Sequence, residues 1–298
     1  MARRKWSWTK KQFDKLNKVQ EILEELDEYK PLTLRQVYYQ LVGKGYIENR
    51  VSEYGMLSGL LKYARIAGYI PWEDIEDRGR IFHNLTGFED YQEFISASYY
   101  HFLRGYRRNL LQKQGKYLEI WIEKDALSSI FTRTAKYYTV PVIVCRGFNS
   151  VSFLNAFKER IQAEDHPVVL YFGDFDPSGM AMLNSSKITL ENEMNVQGVE
   201  FKRIALSKED IFEYNLPHNP SAIKKKDTRT KKHVAQYGEI AVELDALPPA
   251  ILEEKIRNAI EAELDMNFFK EEKREEENEF DLLNDIKKGV GEFLQKVA

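Results

Sequence analysis

The chain is poor in cysteine. A single one, Cys145, stands among 298 residues, so no internal disulfide can form. It sits in an apolar run, residues 140–145, which makes a buried structural thiol the expectation rather than a nucleophile. No apolar run approaches the roughly 20 residues that a membrane-spanning helix needs. The opening Met1-Ala2-Arg3-Arg4-Lys5-Trp6 is basic but leads into no apolar signal segment, so a cytoplasmic protein with no membrane partner is expected. There is no internal repeat, no low-complexity tail and no glycine-rich phosphate loop of the ATPase kind. Charge is nearly balanced, at a net −3, which alone argues nothing for a polyanion.

Charge is unevenly placed, however. Residues 1–116 hold 20 Lys and Arg against 15 Asp and Glu, and the remainder holds 24 against 32. The first part is therefore where a nucleic acid would be sought. With 43% hydrophobic and 31% charged residues, the composition suits a globular protein large enough for sizeable cores.

Three short apolar runs organise the middle of the sequence: residues 117–125, 140–145 and 167–173. Each is bounded and rich in Val, Ile and aromatics, as buried strands are. Helical patterns follow each of them, at 126–137, 151–164 and 180–189. That alternation predicts an α/β fold with an open, mainly parallel sheet and helices on both faces. Such sheets bind ligands at the carboxyl ends of their strands. Glu123 ends the first run, and Asp174-Phe175-Asp176-Pro177-Ser178-Gly179 ends the third. Residues i and i+2 of an extended segment point the same way, so Asp174 and Asp176 can share one site with Glu123. Three unpaired carboxylates repel one another, and a bound Mg²⁺, or Mn²⁺ in its place, removes that conflict. Pro177 and Gly179 suit a sharp turn after the acids.

Upstream, helices are predicted over 9–29, 33–43 and 53–67. Thr9 and Thr33 are their expected N-caps, and Gly43 or Gly45 is the stop of the second. Three short helices with tight connections suggest a helix-turn-helix or winged-helix unit over residues 1–80. Its third helix offers Lys62 and Arg65 to DNA, and residues 74–80 offer a wing or packing loop.

The acid after the first strand, followed later by Asp-x-Asp-Pro-x-Gly, resembles the Toprim domain. More closely, it is similar to the version in topoisomerase VI A subunits and the related meiotic double-strand-break proteins. Those proteins place a winged helix before the Toprim domain. Their nucleophile lies in a pattern of Arg, three residues and Tyr, which Arg35-Gln36-Val37-Tyr38-Tyr39 fits. The resemblance implies that Tyr39 attacks DNA, that Arg35 assists, and that Glu123, Asp174 and Asp176 hold Mg²⁺. It also implies double-stranded DNA as substrate and a homodimer, since tyrosine and metal site come from different subunits in that family. Strand passage would need a separate ATPase subunit. The chemistry suits the residue types. A tyrosine oxygen can form a phosphodiester link that conserves the bond, and an arginine can hold a phosphate bidentately. Two alternatives stay open: a Toprim nuclease that uses metal-activated water, with Glu123 catalytic and Tyr39 structural, and a DNA-binding protein without catalysis. A haloacid-dehalogenase-type phosphatase is disfavoured, because Ser178 is displaced from that family's threonine slot.

The remaining segments carry weaker signals. Residues 81–116 are expected to be a helical connector, with Arg104, Arg107, Arg108, Lys113 and Lys116 forming a basic approach to the site. Arg146 opens the strand-to-helix turn after the second run and, with Arg104, Arg107 and Arg108, is a candidate for DNA contact. Residues 117–298 would form the Toprim-like domain with a helical extension. Within it, a strand is expected over 202–206, a Ser207-capped helix over 208–214 and a DNA-contacting basic loop over 224–232. A further helix is expected over 250–268, an acidic stretch at 271–279 and a terminal helix over 281–297. Glu243 and Asp245 either complete a second metal site or cap the helix that begins at Pro248-Pro249, with capping preferred.

Overall fold

The computed structural model describes residues 8–76, 87–223 and 228–297. Its first unit is helical. Helices α1 (Lys10–Glu25) and α2 (Leu34–Gly43) both open on the predicted threonines. In each, the threonine side chain accepts from the N3 amide, and the N3 glutamine reaches back to the cap's own N–H. Such reciprocal capping satisfies two helix-end donors at once. Gly45 adopts φ +70° just past α2, where a left-handed residue closes the helix. Helix α3 (Val51–Ile66) packs Leu57, Leu60, Leu61 and Ala64 inward. A two-residue parallel pair, β1 (Leu32–Thr33) with β2 (Ile75–Glu76), ties the unit together. Of the expected wing or packing loop, Asp74 packs against the fold by an ion pair to Lys30 at 3.0 Å, and residues 77–80 lie outside the described residues.

The second unit is a sheet of β3 (Leu118–Ile122), β4 (Val142–Val144), β5 (Val168–Phe172) and β6 (Glu200–Ala205). All pairings are parallel, in the order β4-β3-β5-β6. The two central strands, β3 and β5, are buried at every position. Alternate residues feed opposite faces, as the pleat requires. Ile120, Ile122, Leu170 and Phe172 pack with α5 (Ser128–Tyr138) and α10 (Pro249–Glu261), whereas Trp121, Val169 and Tyr171 meet α6 (Val151–Arg160) and the end of α7 (Pro177–Ile188). The molecule is thus a mixed α/β protein with helices on both sheet faces, as the strand–helix alternation predicts. The buried residues of α1, α2 and α3 belong to the same apolar cluster as the α5/α10 face.

Several expectations are corrected. The connector is not one helix. Only α4 (Tyr91–His101) forms, residues 81–86 lie outside the described residues, and 102–117 run through turns. Leu103 and Gly115 have φ +60° and +63°, values that no helix accommodates. Of the basic loop, residues 224–227 lie outside the described residues, and α9 (Thr228–Tyr237) takes up the rest as helix. A short α8 (Lys208–Glu213) carries the expected Ser207 cap. The chain breaks between α10 and α11 (Met266–Val297), so residues 266–268 belong to the later helix, which carries the acidic stretch and the terminus as one element. Among the described residues, no helix is long and apolar enough to cross a membrane.

Candidate active site

The carboxyl ends of β3 and β5 lie side by side, because Ile122 pairs with Phe172. Chain direction therefore brings Glu123 and Asp174 together. Glu123 donates its backbone N–H to Phe172 O at 3.0 Å, and its Oε2 accepts from the Asp174 N–H at 2.9 Å. Two glycines pack closely here: a Cβ on Gly173 would first meet the Tyr171 hydroxyl at 2.5 Å, and one on Gly179 the Asp174 carbonyl oxygen at 2.3 Å. A Cβ on Gly173 would also come within 2.8 Å of Glu123 Oε2, and one on Gly179 within 3.1 Å. Gly179 is thus needed for close approach, not for a turn: it lies in the first turn of α7 and does not appear among the positive-φ residues.

The two aspartates play different parts. Asp174 is buried; its Oδ1 accepts from the Leu244 N–H at 2.8 Å and its Oδ2 meets Lys124 Nζ at 2.7 Å. Asp176 caps α7, accepting the Gly179 N–H at 2.7 Å, with Pro177 in the first helical position. Burial, and then the neighbouring Asp174 charge, push the Glu123 carboxyl up to about 7. Burial also raises Asp174, against the pull of Lys124. Repulsion between the carboxylates thus adds to burial at Glu123.

Sequence reasoning did not assign Lys124 or Arg203, which knit the site together. Lys124 Nζ contacts Asp174, Glu243 at 2.7 Å and Asp245 at 3.0 Å. Arg35 reaches the same pair from α2, with Nε 3.1 Å from Asp245 Oδ2 and its outer nitrogen on Glu243. Glu243 and Asp245 cap nothing: neither the short 3₁₀ turn at Leu244–Ala246 nor α10 has a side-chain cap. An isolated antiparallel bridge, Phe175 to Val242, holds their segment against the Asp174–Asp176 loop. On the other side, Arg203 donates to the carbonyls of Gly173 (2.9 Å), Asp174 (2.5 Å), Gly179 (3.2 Å) and Leu206 (3.0 Å), strapping the loop in place. The sequence offered one hint for Lys124, a cation set between two acids at a strand end.

Tyr38 and Tyr39 are both buried, at 3% and 4% exposure. Their hydroxyls differ. Tyr38 donates to Asn49 Oδ1 at 3.1 Å or to Arg50 O at 3.2 Å, which fixes the loop after α2. The Tyr39 hydroxyl has no hydrogen-bond partner among the described residues. It lines a cleft of about 240 Å³ with Arg35, Tyr54, Asn219, Ser221 and Glu243. The Arg35 guanidinium lies 5.6 Å from its ring centre. Burial raises the Tyr39 hydroxyl pKa, only partly offset by Arg35. Arg35 thus joins the acids of its own chain, whereas the resemblance places tyrosine and acids on different subunits.

The residues proposed for DNA contact are scattered, and most have other partners. Arg65 donates to Ile75 O at 3.3 Å and stacks on Trp72, so it braces the first unit instead of facing a groove. Lys62 is exposed beside Tyr63. Arg104 stacks on Tyr100 at 3.7 Å, and Arg107 bonds to Tyr106 O. Arg108 is held by Glu272 at 2.7 Å and by Glu279; Lys113 lies 2.7 Å from Glu272, and Lys116 3.1 Å from Glu263. Within the basic approach, Arg108 and Lys113 are thus paired with the acidic helix α11, and Lys116 with Glu263 just before it. Arg146 is exposed and pairs with Asp125 at 3.1 Å. Cys145 is half-buried, and burial pushes its thiol up to about 12, consistent with a structural role.

Among the described residues, no three His, Cys, Asp or Glu side chains converge as a metal cage. Mg²⁺ does not demand one; it commonly takes one or two carboxylates and keeps several waters. Glu123 and Asp176 suit that donor set, because among the described residues neither is ion-paired. When ionised, five carboxylates (Glu123, Asp174, Asp176, Glu243 and Asp245) share three cations (Arg35, Lys124 and Arg203), an excess equal to the charge of one divalent ion. The chain matches no family model, and no curated protein matches it.

Proposed function

We propose that the chain is a metal-dependent DNA-cleaving enzyme, built on the plan of a topoisomerase VI A subunit with a winged-helix-like unit and a Toprim-like sheet. The observation that carries this reading is the meeting of Glu123 and Asp174 at adjacent strand ends, joined through Lys124, Glu243 and Asp245 to Arg35 and the Tyr39 cleft.

Glu123 and Asp176 would hold Mg²⁺, which when bound supplies a Lewis acid for a phosphodiester. Arg35 would offset charge on that phosphate. The Tyr39 oxygen forms a bond to phosphorus as the bond from phosphorus to a deoxyribose oxygen breaks. The tyrosine proton leaves into the cleft, and the departing oxygen takes up a proton. One ester replaces another, so the step is reversible and needs no co-reactant. Asp174 positions: it aligns Glu123 through its own N–H and anchors Lys124.

A water-using Toprim nuclease is the second reading. It is favoured by the burial that raises the Tyr39 pKa and by the absence, among the described residues, of a base on that hydroxyl. Incubation with supercoiled DNA and Mg²⁺ or Mn²⁺, followed by denaturation, separates the two. The first reading expects protein-linked ends that vanish in Tyr39→Phe. The second expects free ends that persist in Tyr39→Phe and vanish in Glu123→Gln. Salt-sensitive binding with no cutting under either metal overturns both and leaves a DNA-binding protein.

A further inference from the structure

Lys124 has three N–H donors, and each meets a carboxylate: Asp174 Oδ2 and Glu243 Oε2 at 2.7 Å, and Asp245 Oδ2 at 3.0 Å. Three acidic oxygens from two separate loops meet one cation here, and oxygen donors of this kind are also those that hard divalent cations prefer. The cation present is an ammonium group. Arg35 closes the same carboxylates from α2, and Asn219 donates to the remaining Glu243 oxygen at 2.6 Å. On the other side of Asp174, Glu123 and Asp176 have no cation of their own among the described residues. The cluster is therefore divided: Asp174, Glu243 and Asp245 are ion-paired to side-chain cations, and Glu123 and Asp176 are not, among the described residues.

We propose that Lys124 stands where a second divalent ion sits in two-ion phosphoryl-transfer sites, so that this chain binds one ion, at Glu123 and Asp176, and no more. The inference rests on the metal-dependent reading above. Two-ion sites place their metals about 4 Å apart with bridging carboxylates, and Asp174 already spends its two oxygens on Lys124 and the Leu244 N–H. A covalently attached cation cannot dissociate. The Arg35–Glu243–Asp245 half of the site is thus held together at any metal concentration, and binding of the single ion should be non-cooperative.

The test is a calorimetric Mn²⁺ titration of the full chain, with folding followed by circular dichroism. Wild type should bind one ion with a simple isotherm, and Glu123→Gln combined with Asp176→Asn should bind none. Lys124→Ala takes the ammonium group from three carboxylate oxygens, leaving Arg35 on two of them, and should raise the count from one to two. Two ions on wild type, or one on folded Lys124→Ala, overturns the inference and leaves the metal-dependent reading standing. No ion on wild type overturns both. If Lys124→Ala does not fold, the wild-type count decides alone.

Discussion

Tyr38 and Tyr39 are neighbours in one helix and equally buried, yet the cost of removing their hydroxyls should differ. Tyr38 has partners in Asn49 and the Arg50 carbonyl, and losing a neutral hydrogen bond of this kind costs about 1 kcal/mol. The Tyr39 hydroxyl opens into the cleft without a partner, so Tyr39→Phe should leave stability within about 0.5 kcal/mol of wild type. Urea unfolding of the two phenylalanine variants checks this. A stable Tyr39→Phe protein that no longer forms DNA adducts assigns the hydroxyl to chemistry. A Tyr39→Phe protein as destabilised as Tyr38→Phe would instead make it a packing group. Glu123 and Gly179 follow similar logic at shorter range. The glycine is needed because a Cβ there would lie 2.3 Å from the Asp174 carbonyl oxygen and 3.1 Å from Glu123 Oε2, a reason that no turn rule supplies.

At the scale of elements, the long acidic helix α11 is a clamp. Glu272 is fully buried between Arg108, Lys113 and Gln112, whose hydrogen bonds hold its carboxyl down at about 2 from an ordinary 4.5. The folded pKa lies below the unfolded one, so this contribution is fully present above pH 4.5 and is lost as pH falls through about 2. Thermal melts should therefore show wild-type stability declining across that window, with the fall reduced in Glu272→Gln. At neutral pH the variant should be less stable by roughly 2 kcal/mol, the scale of a charged hydrogen bond. An unchanged acid profile would mean that α11 is not held by this carboxylate. The clamp also explains what could be read in advance. Strands β3 and β5 were legible because each is a short apolar run, and the caps at Thr9, Thr33 and Ser207 because both partners lie within three residues. Arg108 and Glu272 are 164 residues apart, and no local pattern joins them. A basic run and an acidic run, each read alone, suggested an approach to the site and a separate acidic stretch.

At the scale of the molecule, the open question is whose acids serve whose tyrosine. The site acids were legible as strand-end residues, but their relation to α2 was not, because the link runs through Glu243 and Asp245, more than two hundred positions after Arg35. Those two residues bind Arg35 and Lys124 together, so helix α2 is fastened to the acid loop of the same chain. The apolar cluster shared by α1, α2, α3 and the sheet reinforces that docking. Separating them to let Tyr39 visit a partner would expose this surface and strand Asp245, which is 1% exposed, with one cation fewer. The structure therefore predicts action within one chain. Mixing a Tyr39→Phe protein with a Glu123→Gln protein should restore no covalent DNA adduct, whether or not the chains associate. Under exchange between subunits, half-sites with both wild-type residues would form, and adducts would reappear at a fraction of the wild-type yield. That result would show that the ion pairs to Arg35 are a resting contact, broken before the DNA is cut.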